Sequence, residues 1–345
     1  MNVHREPIIS IIFPSFNGEK FLHKNLESIK TLNNLNEIEL IIIDNNSNDS
    51  SIQIIESYKN CINIKLLKQK KNLGFAKACN IGALHAKGKF IFITNQDVIL
   101  LPDFFLKLLT FYKIHKKNKE IIISPAIIFE GDGRIYYYGA KIHILGFSYT
   151  PKVYQKLPEK KEAYRTQRFS GCSFFIKKKI FLDMGGFDPL FFMYYEDTDF
   201  SLRWLRHGLE IYTTNDPYLI HLRHDLALND LRYYFLELNK YIVFCKNING
   251  FKKLRPFFII IEIALSIQSI ILKKFKLRIR LYREILFNIK FFKTLRSNSK
   301  KKMKLISYRS LSKTLDPVLI KIADLQSGKH FDIFLAILNS ILKLI

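Results

Sequence analysis

Four apolar runs, each closed by a polar cluster and followed by an amphipathic stretch, constrain this chain more than any other feature. Residues 8–13 end in Pro14-Ser15-Phe16-Asn17-Gly18, and residues 39–43 end in Asp44-Asn45-Asn46-Ser47-Asn48-Asp49. Residues 62–67 lead to Asn72-Leu73-Gly74-Phe75, and residues 90–94 end in Asn95-Gln96-Asp97. Between them, Phe21, Leu22, Leu26 and Ile29, then residues 52–58, then residues 75–86 repeat at helical spacing. Strand, turn and helix recurring at this interval predict an α/β fold with a mostly parallel central sheet flanked by helices. Every polar cluster then falls at the carboxyl end of a strand, where open α/β sheets bind ligands.

A second cluster follows a core strand predicted at residues 174–176. Gly185-Gly186-Phe187-Asp188-Pro189 is turn chemistry, and Glu196, Asp197 and Asp199 open a short helix whose other face carries Phe200 and Trp204. Asp199 faces Arg203 one turn on. These acids complement the helix dipole or include a general base, and the residues alone leave both open. Asp188 is expected to be tied to the glycine turn. Phe191, Phe192, Tyr194 and Tyr195 are candidates for an apolar wall, with about half expected in the core. Residues 121–129 predict a further strand, 136–150 irregular or hairpin structure, and 151–167 a polar loop.

The net charge of +25 is unevenly placed. Residues 246–313 hold 19 Lys and Arg against two acids, Glu262 and Glu284, a net +17. Such a segment seeks an anionic partner. Residues 256–272 form a 17-residue apolar stretch interrupted by Glu262 and Gln268, short of the roughly twenty apolar residues a spanning helix needs, which makes a transmembrane helix the weaker alternative to one lying on the membrane. Residues 273–296 interleave bases with large aliphatics, the texture of a helix lying in a lipid interface, and residues 331–345 predict a short apolar helix. The expected division is a catalytic domain over 1–245 and a basic, membrane-associated helical region over 246–345. Four scattered cysteines without a CxxC pair argue against a disulfide framework or structural zinc. Together with an N-terminus lacking a basic-then-apolar pattern, they give the expectation of a cytoplasmic protein, peripheral on the inner face of the cell membrane.

In the order 10–18, 43–50, 72–82, 95–97 and 185–197, these motifs resemble those of the family-2 glycosyltransferases of GT-A fold, over about residues 8–240. His221 followed by Arg232-Tyr233-Tyr234 resembles the rhamnosyltransferase-like branch. The resemblance implies inverting transfer from a nucleotide-sugar, dTDP-L-rhamnose first and a UDP-hexose, UDP-N-acetylhexosamine or UDP-galactofuranose as alternative, to a lipid-linked or growing surface glycan. It implies nucleotide contacts from Pro14, Ser15, Phe16, Asn17, Asp44, Asn46, Asn72, Gly74, Phe75, Asn80, Asn95 and Gln96. Asp97 takes the place of the family's metal-binding acid and, as a hard oxygen donor, suits Mg²⁺ or Mn²⁺. His221 is a further candidate ligand or diphosphate contact, with His224 competing. Asp197 is the expected base, with Glu196 beside it keeping its proton affinity from falling.

Asn95 departs from the family's first metal-motif acid and leaves one charged ligand. Asp44 either contacts base and ribose or closes its own turn. A nucleic-acid-binding protein on a nucleotide-binding scaffold is the rival class for the basic segment, although its bases alternate with aliphatics and nucleic acid is not an expected partner. A non-catalytic relative acting as a subunit is the third reading.

Overall fold

The computed structural model describes residues 6–143, 145–222, 228–248 and 251–302, excepting the side chains of 251–257 and 299–302. The chain divides into two compact units: 1–140 with 150–226, and 141–149 with 227–345. The division expected at 245/246 falls inside a helix, α7 (Asp230–Asn247), whose whole length belongs to the second unit.

The first unit is built on β1 (Ile9–Ser15), β2 (Ile38–Asp44), β3 (Ile64–Lys68) and β4 (Phe90–Thr94), with helices α1 (Glu19–Lys30), α2 (Ser51–Ser57) and α3 (Phe75–His85) between them. β2 and β4 are buried at every position, and β1 at all but Pro14. Unbroken apolar runs of this kind mark strands covered on both faces. β1 pairs in parallel with β2 on one side and β4 on the other, and β3 lies outside β2. Strand order therefore reverses between β1 and β4, which opens a crevice at their carboxyl ends.

After β5 (Val98–Ile99) and α4 (Phe104–His115), the chain enters β6 (Ile121–Phe129) and β7 (Ile135–Tyr137). β10 (Ala163–Thr166), β11 (Ser173–Lys177) and β12 (Glu210–His221) complete the sheet. Its order is β10-β12-β6-β11-β4-β1-β2-β3, mostly parallel, with β11 set antiparallel between β4 and β6. The polar loop expected over 151–167 is thus in part a strand. Tyr164 packs its ring edge-on to Tyr138 at 5.0 Å while its backbone pairs with β12, so tertiary pairing overrides the polar composition. α5 (Lys178–Asp183) and α6 (Glu196–Arg206) flank the 185–195 loop.

The second unit holds the hairpin β8 (Lys141–Ile142) and β9 (Ser148–Tyr149), then α7, α8 (Phe251–Ile271), α9 (Phe275–Phe287) and α10 (Ile289–Lys302). A buried ionic network ties α7, α8 and α9. Lys240 bonds Glu237 at 2.9 Å and Glu262 at 3.2 Å. Arg278, fully buried, bonds the same two carboxylates, and Tyr241 and Tyr282 donate to Glu262. Burial pushes the Glu262 carboxyl up, but the Lys240 and Arg278 charges more than offset it and hold it below its usual range. The acid that interrupts the 256–272 apolar stretch is thus spent inward. Outward, α8 presents Ile259, Ile260, Ile263, Ile267, Ile270 and Ile271, each 38–58% exposed. No helix among the described residues is long and apolar enough to cross a membrane. The apolar helix expected at 331–345 lies outside the described residues.

Candidate active site

The reversal point between β1 and β4 is closed by one side chain. Gln96, just past β4, accepts from Ser15 Oγ at 2.9 Å and Phe16 N at 3.1 Å, and its amide donates to Phe16 O at 3.1 Å. A Cβ on Gly18 would stand 2.2 Å from Gln96 Oε1. Gln96 therefore shapes the Pro14–Gly18 turn, and its amide is committed to protein. Phe16 is left 43% exposed at the rim. Asn17 holds the neighbouring β2 turn: its N–H donates to Ser47 Oγ at 3.0 Å and its Oδ1 accepts from Asn48 N at 2.9 Å.

At the tip of β2, Asp44 is buried and accepts the Ser47 N–H on both oxygens at 3.3–3.4 Å. These long bonds contribute to closing its own turn, one of its two expected roles. Asn46 is exposed with φ +68°. Its neighbour Asn45, which sequence reasoning passed over, is the one that reaches inward: Oδ1 accepts from Leu73 N at 3.3 Å and Nδ2 donates to Gly74 O at 3.4 Å. Asn72 accepts the Gly74 N–H at 2.9 Å, an Asx turn that sets φ +79° at Gly74. A Cβ there would fall 2.2 Å from Phe192 O, the carbonyl that accepts the Phe75 N–H at 2.7 Å. The start of α3 is thereby pinned to the 185–195 loop.

Asn80 belongs to that loop as well. It donates to Phe187 O at 2.7 Å and accepts from Phe187 N at 2.9 Å. The expected nucleotide contact is instead a brace, because both halves of its amide are spent on backbone. Gly185 and Gly186 stand at φ +81° and +62°. Arg203 caps the turn: Nε bonds Asp199 at 3.0 Å, while Nη1 and Nη2 reach Met184 O and Gly186 O at 2.7 Å each. Asp188 accepts from Leu190 N at 2.9 Å, a turn role as expected from its place beside the glycines. Phe191 is core, whereas Phe192, Tyr194 and Tyr195 are half-buried. Tyr194 and Tyr195 both adopt left-handed φ, +66° and +70°, which costs side-chain-bearing residues about 1–2 kcal/mol each. Strain of this kind clusters at functional sites, and here it delivers Glu196 and Asp197 at the first turn of α6.

Asp197 is held from all sides. Oδ2 accepts from Arg168 Nη1 and from Gly171 N at 3.1 Å. Oδ1 accepts from Thr198 N at 2.6 Å and Thr198 Oγ at 3.2 Å. Glu196, 5% exposed, has Oε2 buried without a hydrogen-bond partner among the described residues. Burial first, then the Asp197 charge, pushes its carboxyl up to about 8. Gly171 leaves room for both: a Cβ there would be 3.1 Å from Glu196 Oε1 and 3.7 Å from Asp197 Cβ.

The other aspartate lies just past β4, whose Thr94 pairs with Ser173 at the end of the same turn. Cys172 follows Gly171 and is buried. Burial and then the charge of Asp97 push its thiol well up, while Thr94 Oγ donates to Cys172 O at 2.8 Å. Asp97 faces His221 Nε2 at 3.7 Å, and the imidazole stacks on Tyr136 with ring centroids 4.9 Å apart. With metal–ligand bonds of about 2.1 Å, two octahedral ligands lie about 3.0 Å apart when adjacent and about 4.2 Å when opposite. The observed 3.7 Å lies between the two, so a shared octahedral cation would draw the donors together or apart by about 0.5–0.7 Å, with phosphate and water filling its remaining positions. Among the described residues no group of three or more His, Cys, Asp or Glu side chains gathers to hold a metal. His224 lies outside the described residues.

Arg168, Gly171, Thr198 and Asn45 were missed in the sequence. Ser170-Gly171, a small pair directly before a core strand, was the available signal for the turn that carries Asp197's backbone donor. Nothing local marks Arg168, which comes from a loop.

The model of glycosyl transferase family 2 matches residues 10–185, just over half the chain, and a model described as the N-terminal domain of galactosyltransferase matches residues 151–225. Glycosyltransferase GlyA of Streptococcus pneumoniae serotype 4 (strain ATCC BAA-334 / TIGR4) is 29% identical over 160 residues, 46% of this chain and 22% of GlyA. Among solved structures, GalNAc-T7 with UDP, GalNAc and Mn²⁺ aligns over 70% of this chain and 51% of its own, at 17% identity and TM-score 0.53. Residues 1–349 of Staphylococcus aureus TarS, in complex with UDP-GlcNAc, align over 85% and 91% at 16% identity and TM-score 0.49. The chain spans about a fifth of GlyA and half of GalNAc-T7. With its sheet and helices in the GT-A arrangement and its first half matched by the family model, the chain belongs to glycosyl transferase family 2.

Proposed function

We propose that the chain is an inverting, metal-assisted transferase that moves one sugar from a nucleotide-sugar to a lipid-linked or growing surface glycan. The Ser170–Cys172 turn carries this reading, since it donates to Asp197 through Gly171 N and is bonded at Cys172 O by Thr94, three residues before Asp97. Asp197 takes the proton of the acceptor hydroxyl as its oxygen bonds to the anomeric carbon and the bond to the donor diphosphate breaks. Glu196, kept protonated by burial, stands beside the base without adding a second charge. Asp97 and His221 would hold a divalent cation, which supplies charge relief to the leaving diphosphate. Phe16 and the β1 and β2 turns provide the wall for the nucleotide.

Two donor classes compete. The rhamnosyltransferase-like motifs at His221 and Arg232-Tyr233-Tyr234 favour dTDP-L-rhamnose. The galactosyltransferase model over 151–225 favours a UDP-linked sugar, as does the UDP bound by GalNAc-T7. Release of dTDP or UDP from a donor panel, with EDTA and with Mn²⁺ or Mg²⁺ restored, decides between them. No release from any donor with any metal rejects the enzyme in favour of a non-catalytic relative.

The acceptor reading rests on the second unit. The outward isoleucine row of α8 lies in sequence beside Lys273, Lys276, Arg280, Arg283, Lys290 and Lys293, all exposed. The two acids of these helices are engaged internally, Glu262 in the network and Glu284 with Tyr234. An apolar row beside exposed bases suits an anionic membrane surface, which would keep the enzyme in the plane of a lipid-linked acceptor.

A further inference from the structure

An ionised carboxyl offers about four lone-pair positions, and in Asp197 four donors already fill them. An acceptor hydroxyl therefore reaches this carboxylate only where one donor withdraws. The Gly171 and Thr198 amides are fixed in the backbone, and Thr198 is 1% exposed, so its hydroxyl faces the interior. Arg168 differs from them. Its side chain retains 15% exposure, and its Nε is buried with no hydrogen-bond partner among the described residues. Its other bond, Nη1 to Phe169 O, is long at 3.4 Å. The guanidinium therefore has one strong attachment, to Asp197, and an unmet donor beside it.

We propose that Arg168 is a displaceable cap on Asp197: it covers the carboxylate while the site is empty and yields its place to the acceptor hydroxyl. The proposal rests on the reading of Asp197 as the base. Its consequence is selectivity between acceptors. A bulk water cannot displace a charge-assisted bond that a bound, oriented sugar hydroxyl can, so the donor is protected from hydrolysis until its acceptor arrives. Arg168 is a positioning residue in this scheme, acting through Asp197. Its backbone is part of the device, since Tyr137 OH donates to Arg168 O at 2.6 Å and the Tyr137 ring lies 6.0 Å from the guanidinium.

The test uses the full chain with Arg168→Gln and Arg168→Lys. Carbodiimide with glycine ethyl ester labels accessible carboxyls, and peptide mass reads the extent at Asp197. Labelling should be about tenfold faster in Arg168→Gln, the least that loss of one charge-assisted hydrogen bond gives, and close to wild type in Arg168→Lys. Acceptor-free release of nucleotide from the donor that wild type accepts should rise by a similar factor in Arg168→Gln and vanish when Asp197→Asn is added. Unchanged labelling in Arg168→Gln overturns the cap. Should that variant not fold, Tyr137→Phe, which loosens the backbone of Arg168, should speed labelling about threefold, and no change there overturns the cap equally. Faster labelling without donor cleavage by any variant upholds the cap and rejects the base. Unchanged labelling with donor cleavage that Asp197→Asn abolishes does the reverse.

Discussion

Nε2 of His221 lies 3.7 Å from Oδ1 of Asp97, because antiparallel pairing of β12 with β5 sets His221 opposite Val98, the next residue after the aspartate. A carboxylate and an imidazole meet at the strand tips where a leaving diphosphate is expected. If they hold the cation, EDTA abolishes turnover and Mn²⁺ or Mg²⁺ restores it. His221→Ala should then raise the half-saturating metal concentration at least about tenfold, with Asp97→Asn more severe. Titration of activity against metal measures both, and a His221→Ala curve superimposed on wild type removes His221 from the site.

Glu196 makes a prediction about stability. Its carboxyl stands at about 8 in the folded chain against 4.5 when unfolded. Between those values the unfolded state releases the proton and the folded state keeps it, so the native chain loses stability as pH rises through that window. Glu196→Gln lacks this loss. Its melting temperature relative to wild type should climb between about pH 5 and pH 8, by at least ~2 °C. A pH-independent difference shows Glu196 to be ionised in the native protein.

Gly186 and Gly133 share nearly the same φ, +62° and +63°, but not the same surroundings. A Cβ at Gly186 meets Asn80 Oδ1 at 2.5 Å, whereas one at Gly133 meets nothing within 4 Å. Gly133→Ala should cost about 1 kcal/mol from backbone strain alone. Gly186→Ala should cost about 2–3 kcal/mol more by breaking the Asn80–Phe187 pair, and should lower turnover as α6 shifts. Denaturant melts compare the two.

The isoleucine row of α8 predicts flotation with vesicles rich in phosphatidylglycerol and not with pure phosphatidylcholine. High salt should weaken it, and Ile263→Glu with Ile267→Glu should weaken it at least about tenfold, since two buried side chains give about 3–6 kcal/mol. Donor cleavage in solution should be untouched by the pair. Salt-dependent binding to RNA without vesicle binding would instead favour the nucleic-acid reading.

Strand and helix placement through β4 was legible because each apolar run is closed by a cluster that cannot continue it. The role of Asp199 was legible for the same kind of reason: its partner Arg203 is one helical turn away. What the sequence concealed depends on contacts made far along the chain. Asn80 reads as a ligand contact in a motif, yet Phe187 takes its whole amide. Asn45 and Asn46 are indistinguishable as neighbours in a polar turn, and a left-handed φ at Asn46 sends one inward and the other to solvent. Arg168 carries no local pattern, and only the folding of α6 against its loop gives it Asp197. The strand within 151–167 was hidden by composition, since a polar edge strand looks like a loop until its partner is known.

The network of Lys240, Arg278, Glu237 and Glu262 sets a rule for trimming the second unit. A chain ending between α8 and α9 would keep both glutamates and lose Arg278, leaving two interior anions to a single lysine. Removing one partner from such a cluster costs about 3–5 kcal/mol. Shortened versions should therefore stop ahead of α7 or beyond α9, and those cut in between should precipitate or be degraded.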